Sequence, residues 1–171
     1  GSGATITTTK GGMTIDTALV EASAPLLSLK SSSSLTTALD AIDLAQKAKL
    51  TSIGPLVRLD ASTLSITTGA AALVQGGSFL KVTGDLFALN NAATLKMLNG
   101  PALSVKGNSV VNISGAFVNF GGSGSNLVSI TNTLCSPSCA SIGGVNVFLT
   151  DGASSSNVSI TNAVKNATLG T

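Results

Sequence analysis

The chain has 171 residues with no His, Trp or Tyr, 9% charged residues and a formal net charge of +2. Without histidine, no Ser-His or Cys-His nucleophile pair can form. So small a charge, scattered and without aromatic platforms, argues against a nucleic-acid partner. Hydrophobic residues make up 43%, whereas disordered chains are poor in hydrophobic residues and rich in net charge.

No apolar run reaches the about 20 residues needed to span a bilayer as a helix, so membrane insertion is not expected. The opening Gly-Ser-Gly reads as a cloning remnant. Ala4 to Thr9 (ATITTT) and Met13 to Val20 (MTIDTALV) read as strands by alternation and β-branched content, with Gly11-Gly12 as the turn between them. Residues 1–24 are expected to form N-terminal rungs or a cap.

From residue 25 to 131 a repeat is visible. Gly54, Gly69, Gly84, Gly100 and Gly115 recur at an almost constant step of about 15 residues, a period of the kind that repeat architectures show. A second turn-like row, Ala61, Gly76, Asn91, Gly107 and Gly122, keeps the same beat. Between the rows lie aliphatic pairs such as Val57/Leu59 and Leu64/Ile66, and the second strands, centred on Leu35 through Val128, recur at the same mean step. A fixed period with two strands and two turns marks a solenoid. The predicted class is therefore all-β: a parallel β-solenoid, either β-helix or thin β-roll, forming a single domain over 1–171.

The period leaves two coil sizes open. One unit could close a turn by itself, or two units could pair into a wider coil of about 30 residues. The single-unit turn is preferred because the core residues differ little between odd and even units. It stacks Asp43 on Arg58 and Lys81 on Lys96. The glycine ladder is read as corners needing positive φ, which glycine adopts without steric cost. Ala41 to Lys49 (AIDLAQKAK) has helical propensity, but its Ile42/Leu44 pair falls in phase with the neighbouring strands, so β is expected there too.

Residues 132–171 hold a cysteine loop and C-terminal rungs. Cys135 and Cys139 in Cys-Ser-Pro-Ser-Cys lack the further ligands a metal site requires. A disulfide-closed loop is expected, implying an oxidising compartment, with free thiols in a surface turn as the alternative. Val145, Val147 and Leu149 alternate as a strand, and Ser159-Ile160-Thr161-Asn162 copies Ser129-Ile130-Thr131-Asn132 two units later. The last residues, Asn166 to Thr171, show no clear cap, and a longer parent chain is expected.

No catalytic, cofactor or metal constellation is evident. The carboxylates Asp40, Asp43, Asp60 and Asp85 are the remaining acid–base candidates. Asp40 and Asp85 share a corner but are expected three units apart, too far for concerted work, whereas Asp40 and Asp43 can cluster locally, although carboxylates at a strand start are more often simply solvated. Thr5, Thr7 and Thr9 form a Thr-x-Thr-x-Thr run, the kind of array that can bind ice. In the single-unit register neither outward row continues it, because lysine, serine and asparagine interrupt both.

The units GPLVRLDASTLSITTG, GDLFALNNAATLKMLNG and GPALSVKGNSVVNISG resemble repeats of secreted bacterial β-solenoids of the filamentous-haemagglutinin-like and autotransporter-passenger type. The resemblance spans residues 25 to 131. It implies a secreted or cell-surface adhesin, stalk or fibre without enzymatic activity, and it carries no specific site residues. Self-association through the solenoid ends and an unidentified host or surface ligand are the partners it suggests. A ligand-binding solenoid for carbohydrate or ice is the alternative function; the lack of Trp and Tyr weighs against sugar stacking.

Overall fold

The computed structural model describes residues 3–130, 138–142, 145–150 and 157–165, from residue 130 onward as backbone alone. The described elements are all β-strands, and they wind as four successive coils. The first coil holds β1 (Thr5–Thr8), β2 (Met13–Asp16), β3 (Leu19–Ala22) and β4 (Leu27–Leu29). The second holds β5 (Ser34–Thr37), β6 (Ile42–Ala45), β7 (Lys49–Ser52) and β8 (Val57–Asp60). The third holds β9 (Thr63–Ile66), β10 (Ala72–Val74), β11 (Phe79–Val82) and β12 (Phe87–Asn90). The fourth holds β13 (Thr94–Met97), β14 (Leu103–Val105) and the long β15 (Val110–Gly121), which serves two sides in turn.

Each strand pairs in parallel with the strand one coil on, and the register gives the coil size directly. Leu35 stands opposite Leu64, Leu50 opposite Leu80 and Leu59 opposite Leu89. A coil is therefore about 30 residues, and the 15-residue unit is half of it. The single-unit register is wrong. Asp43 pairs with Thr14 and Leu73 while Arg58 pairs with Ser28 and Ala88, on a different sheet. Lys81 and Lys96 are likewise separated, lying beside Thr51 and Ser65. Four strands per coil enclose a wider interior than two strands folded on one another, and that space is filled by aliphatics from every side.

Four sides result. Side one stacks β1, β5, β9 and β13 and continues to β16 (Leu127–Ile130). Side two stacks β2, β6, β10 and β14. Sides three and four, built on β3 and β4 respectively, join through β15. Inward files run along the stack: Leu35, Leu64, Leu95 and Val128 on side one, and Val20, Leu50, Leu80 and Val111 on side three. Most of these side chains are fully buried, and burying one aliphatic side chain is worth about 1.5–3 kcal/mol. The rings of Phe87 and Phe117 meet edge-on at 5.5 Å and 67° inside the third and fourth coils, the arrangement that aromatic quadrupoles favour.

Corners are made in two ways. The row Ala61, Gly76, Asn91, Gly107 and Gly122 takes positive φ, between 47° and 69°. Several members have a second left-handed residue beside them, as in Gly76-Gly77 and Asn91-Ala92. The glycine ladder is different, because none of Gly54, Gly69, Gly84, Gly100 or Gly115 has positive φ. Four of its members instead sit where consecutive coils touch backbone to backbone: a Cβ on Gly84 would stand 2.8 Å from the carbonyl carbon of Gly54. Buried hydroxyls tie the corners down. Thr37 Oγ1 donates to Leu39 O at 2.7 Å, Ser62 Oγ to Asp60 O at 2.8 Å and Ser78 Oγ to Gln75 O at 2.6 Å. An unpaired buried hydroxyl would cost about 1–3 kcal/mol.

The stretch with helical propensity forms β6 and the start of β7. Beyond the fourth coil, β17 (Ser138–Ile142) runs antiparallel to β18 (Val145–Thr150), and β18 stacks on β14. The strand expected at Val145 to Leu149 is thus present. β19 (Asn157–Lys165) stacks on β15, so Ser159 faces Asn112. The second SITN copy therefore lies on a different side from the first. Cys135 and the side chain of Cys139 lie outside the described residues, as do Asn166 to Thr171, so the disulfide and the missing cap fall there too.

Candidate binding surfaces

Each of the acid–base candidates Asp40, Asp43, Asp60 and Asp85 accepts a hydrogen bond. Asp40 Oδ1 accepts the Ala70 amide at 2.8 Å, and Asp85 Oδ1 accepts the Ala116 amide at 2.8 Å. Asp85 Oδ2 also takes Asn119 Nδ2 at 2.8 Å. Asp60 Oδ1 takes Asn91 Nδ2 at 2.7 Å, and Asp16 Oδ2 takes Gln46 Nε2 at 3.1 Å. Gln75 Nε2 reaches both oxygens of Asp43, at 3.0 and 3.1 Å. Every one of these partners belongs to the following coil. The carboxylates act as staples between coils, a use that a charge-assisted hydrogen bond suits.

Asp40 and Asp85 do not share a corner. Asp40 precedes side two and Asp85 precedes side four, half a coil apart in phase. Asp43 feels the charge of Asp40. Partial burial pushes the Asp43 carboxyl above its usual range; Gln75 opposes this, and the charges of Asp40 and Asp16 add to it while Lys106 subtracts. Beside them an open polar groove of about 260 Å³ is bordered by Asp40, Thr68, Leu73, Asn99, Ser104 and Lys106. Among the described residues no group of three His, Cys, Asp or Glu side chains could hold a metal ion.

The outward faces are the larger surfaces. The single-unit register predicts two outward rows, Ser28, Asp43, Arg58, Gln75, Ala88, Ser104, Asn119 and Thr36, Thr51, Ser65, Lys81, Lys96, Asn112, Ser129. In the structure each separates into alternate members on opposite sides of the coil, and Leu73 takes the register position expected for Gln75. Ser28, Arg58, Ala88 and Asn119 form one file on side four, while Asp43, Leu73 and Ser104 lie on side two. Thr51, Lys81 and Asn112 line side three together with Glu21. Thr36, Ser65, Lys96 and Ser129 line side one, where Thr7 precedes them. A parallel file on the same face reads Thr5, Ser34, Thr63, Thr94 and Leu127.

The first coil exposes part of the interior column. Ile6 and Met13, which face inward, remain 55% and 37% exposed, and with Leu27, Leu35, Ala41 and Ile42 they border an apolar hollow of about 210 Å³. No protein-family model, curated protein or solved structure matches the chain. The parallel solenoid that the sequence resemblance implied is present; its family type gains no support from these comparisons.

Proposed function

We propose that the chain is a non-enzymatic structural or adhesive solenoid, a stalk segment or filament subunit working outside the cell or at its surface. The observation that carries the reading is the use made of the carboxylates. Asp16, Asp40, Asp43, Asp60 and Asp85 all bond across to the next coil, so the few acidic groups support the stack. The filamentous-haemagglutinin-like or autotransporter-passenger type is the family this reading favours, on the strength of the repeat patterning alone.

The partner such a subunit takes is a second copy. The strands of the first coil have an unpaired edge among the described residues, and Ile6 and Met13 offer apolar surface beside it. Strand addition at an open edge gains backbone hydrogen bonds together with apolar burial. Sedimentation velocity across a concentration series, with negative-stain microscopy, tests this. Growing elongated species are expected, and a monomer at every concentration would remove the filament reading. Extracellular residence further implies a Cys135–Cys139 disulfide, for which alkylation of both thiols only after reduction is the expected outcome.

A further inference from the structure

We infer that side one is an ice-binding face, a planar array of hydroxyls that holds water in a lattice matching an ice surface. The 15-residue reading broke this array because it interleaved two sides of the coil. In the observed register, Thr5, Ser34, Thr63 and Thr94 form one file and Thr7, Thr36 and Ser65 a second, two positions away on the same strands. These hydroxyls cover all four coils. Consecutive coils repeat at about 4.8 Å, and positions two apart on a strand at about 6.6 Å. These repeats lie close to oxygen spacings on the faces of hexagonal ice.

Three further observations characterise this face. None of these outward hydroxyls makes a side-chain hydrogen bond within the described residues, whereas Thr8 and Thr37, at the ends of the same strands, each donate to a backbone carbonyl. The strands of this side pair along their full length without a register shift, so the files stay straight along the stack. No acidic residue occurs in either file, whereas side two holds Asp43 and side three Glu21.

A charged group in the face would hold a tight hydration shell that does not fit a crystal. Neutral hydroxyls and threonine methyl groups order water at little cost and repeat that gain along the array. Lys96, following Ser65 in the second file, bounds the array at the fourth coil. The proposal is independent of filament formation, since it concerns the flank of the stack and not its ends.

The full chain is assayed for thermal hysteresis, ice shaping and inhibition of ice recrystallisation. Two variants in the same coil make the comparison internal: Thr36→Lys on side one and Thr51→Lys on side three. Both positions face outward, so circular dichroism and melting should be unchanged. Thr36→Lys is expected to lower ice activity several-fold and Thr51→Lys to leave it intact, while Lys96→Thr, which extends the second file, should raise it. Absence of all three ice effects in the folded chain overturns the inference. So does an equal loss in the two lysine variants, or binding to crystalline cellulose without activity on ice.

Discussion

The amide of Gly115 donates to the carbonyl of Gly84 at 3.1 Å, and a Cβ added to Gly115 would stand 2.5 Å from that same oxygen. Two coils thus touch with no room for a side chain, the Asp85 carboxylate lying 2.6 Å from the same point, and a methyl group there would pry them apart. Gly54, in the same ladder, has its nearest neighbours at 3.8 Å and room for a methyl group.

Gly115→Ala should therefore destabilise the fold by about 1–3 kcal/mol, the usual range for forcing extra atoms into packed structure. Gly54→Ala should be neutral or stabilising by about 0.4–1 kcal/mol, because alanine narrows the unfolded ensemble where the native conformation tolerates it. Urea denaturation of the two variants measures the contrast. Equal effects would mean that the ladder has a single cause.

The other corner row invites the opposite substitution. Ala61 holds φ at 47°, a left-handed conformation that costs a non-glycine residue about 1–2 kcal/mol. Its amide bonds Asn90 O at 2.9 Å and its carbonyl accepts the Ser32 amide at 2.8 Å; glycine keeps both. Ala61→Gly should raise stability by up to about 1 kcal/mol after glycine's greater entropy loss is counted. A fall in the denaturation midpoint would show that the methyl group contributes more than the strain removes.

These two rows also show how far the sequence could be read. Strands, alternation and the short beat were legible because each aliphatic pair, such as Leu64 and Ile66, is local. The reason for each glycine was not, since positive φ and close backbone approach both call for the same missing Cβ. The coil size was hidden for a related reason. Inward positions on opposite sides, Leu35 and Leu50 for example, are interchangeable aliphatics and repeat at half the true period. Only the outward residues carry the full period: Thr36 and Ser65 belong to one side, Thr51 and Lys81 to the other. The hydroxyl face was therefore present in the sequence, at the spacing of a whole coil, and a half-period phase concealed it.

Asp43 gives the fold a pH signature. Burial, the largest influence, raises its carboxyl above the ordinary 3.8 despite the Gln75 hydrogen bonds. A carboxyl that holds its proton more tightly folded than unfolded favours the native state when protonated. Its contribution is complete below pH 3.8 and is lost as pH rises through the elevated folded value. Asp43→Asn removes the titration and leaves an amide beside Gln75. The variant's stability relative to wild type should accordingly increase as pH rises from below 3.8 to neutrality. Paired denaturation curves across that range check the sign; a variant-minus-wild-type difference that stays constant or falls toward neutrality would contradict the burial account.

Coil size itself can be tested by removing whole or half coils. Excising residues 55–84 takes out one coil and joins Gly54 to Asp85. Every later strand then keeps its side: Phe87 stacks on Leu27 as Val57 did, and Leu95 on Leu35 as Leu64 did. Excising residues 55–69 removes half as much, yet it rotates all later units by half a coil. The Ala72-Leu73-Val74 strand then meets Leu27 and Leu29, Lys81 enters the threonine file beside Thr36, and Phe87 is placed over Ile42, where Ala72 stood. Asp40 also loses its bond from the Ala70 amide. In a solenoid, stability is close to a sum of unit and neighbour terms, so the full-coil deletion should melt cooperatively and lose about one coil's share. The half-coil deletion should be the less stable of the two although it retains more of the chain. Thermal melts followed by circular dichroism decide the order, and the reverse ranking would restore the single unit as the turn of the stack.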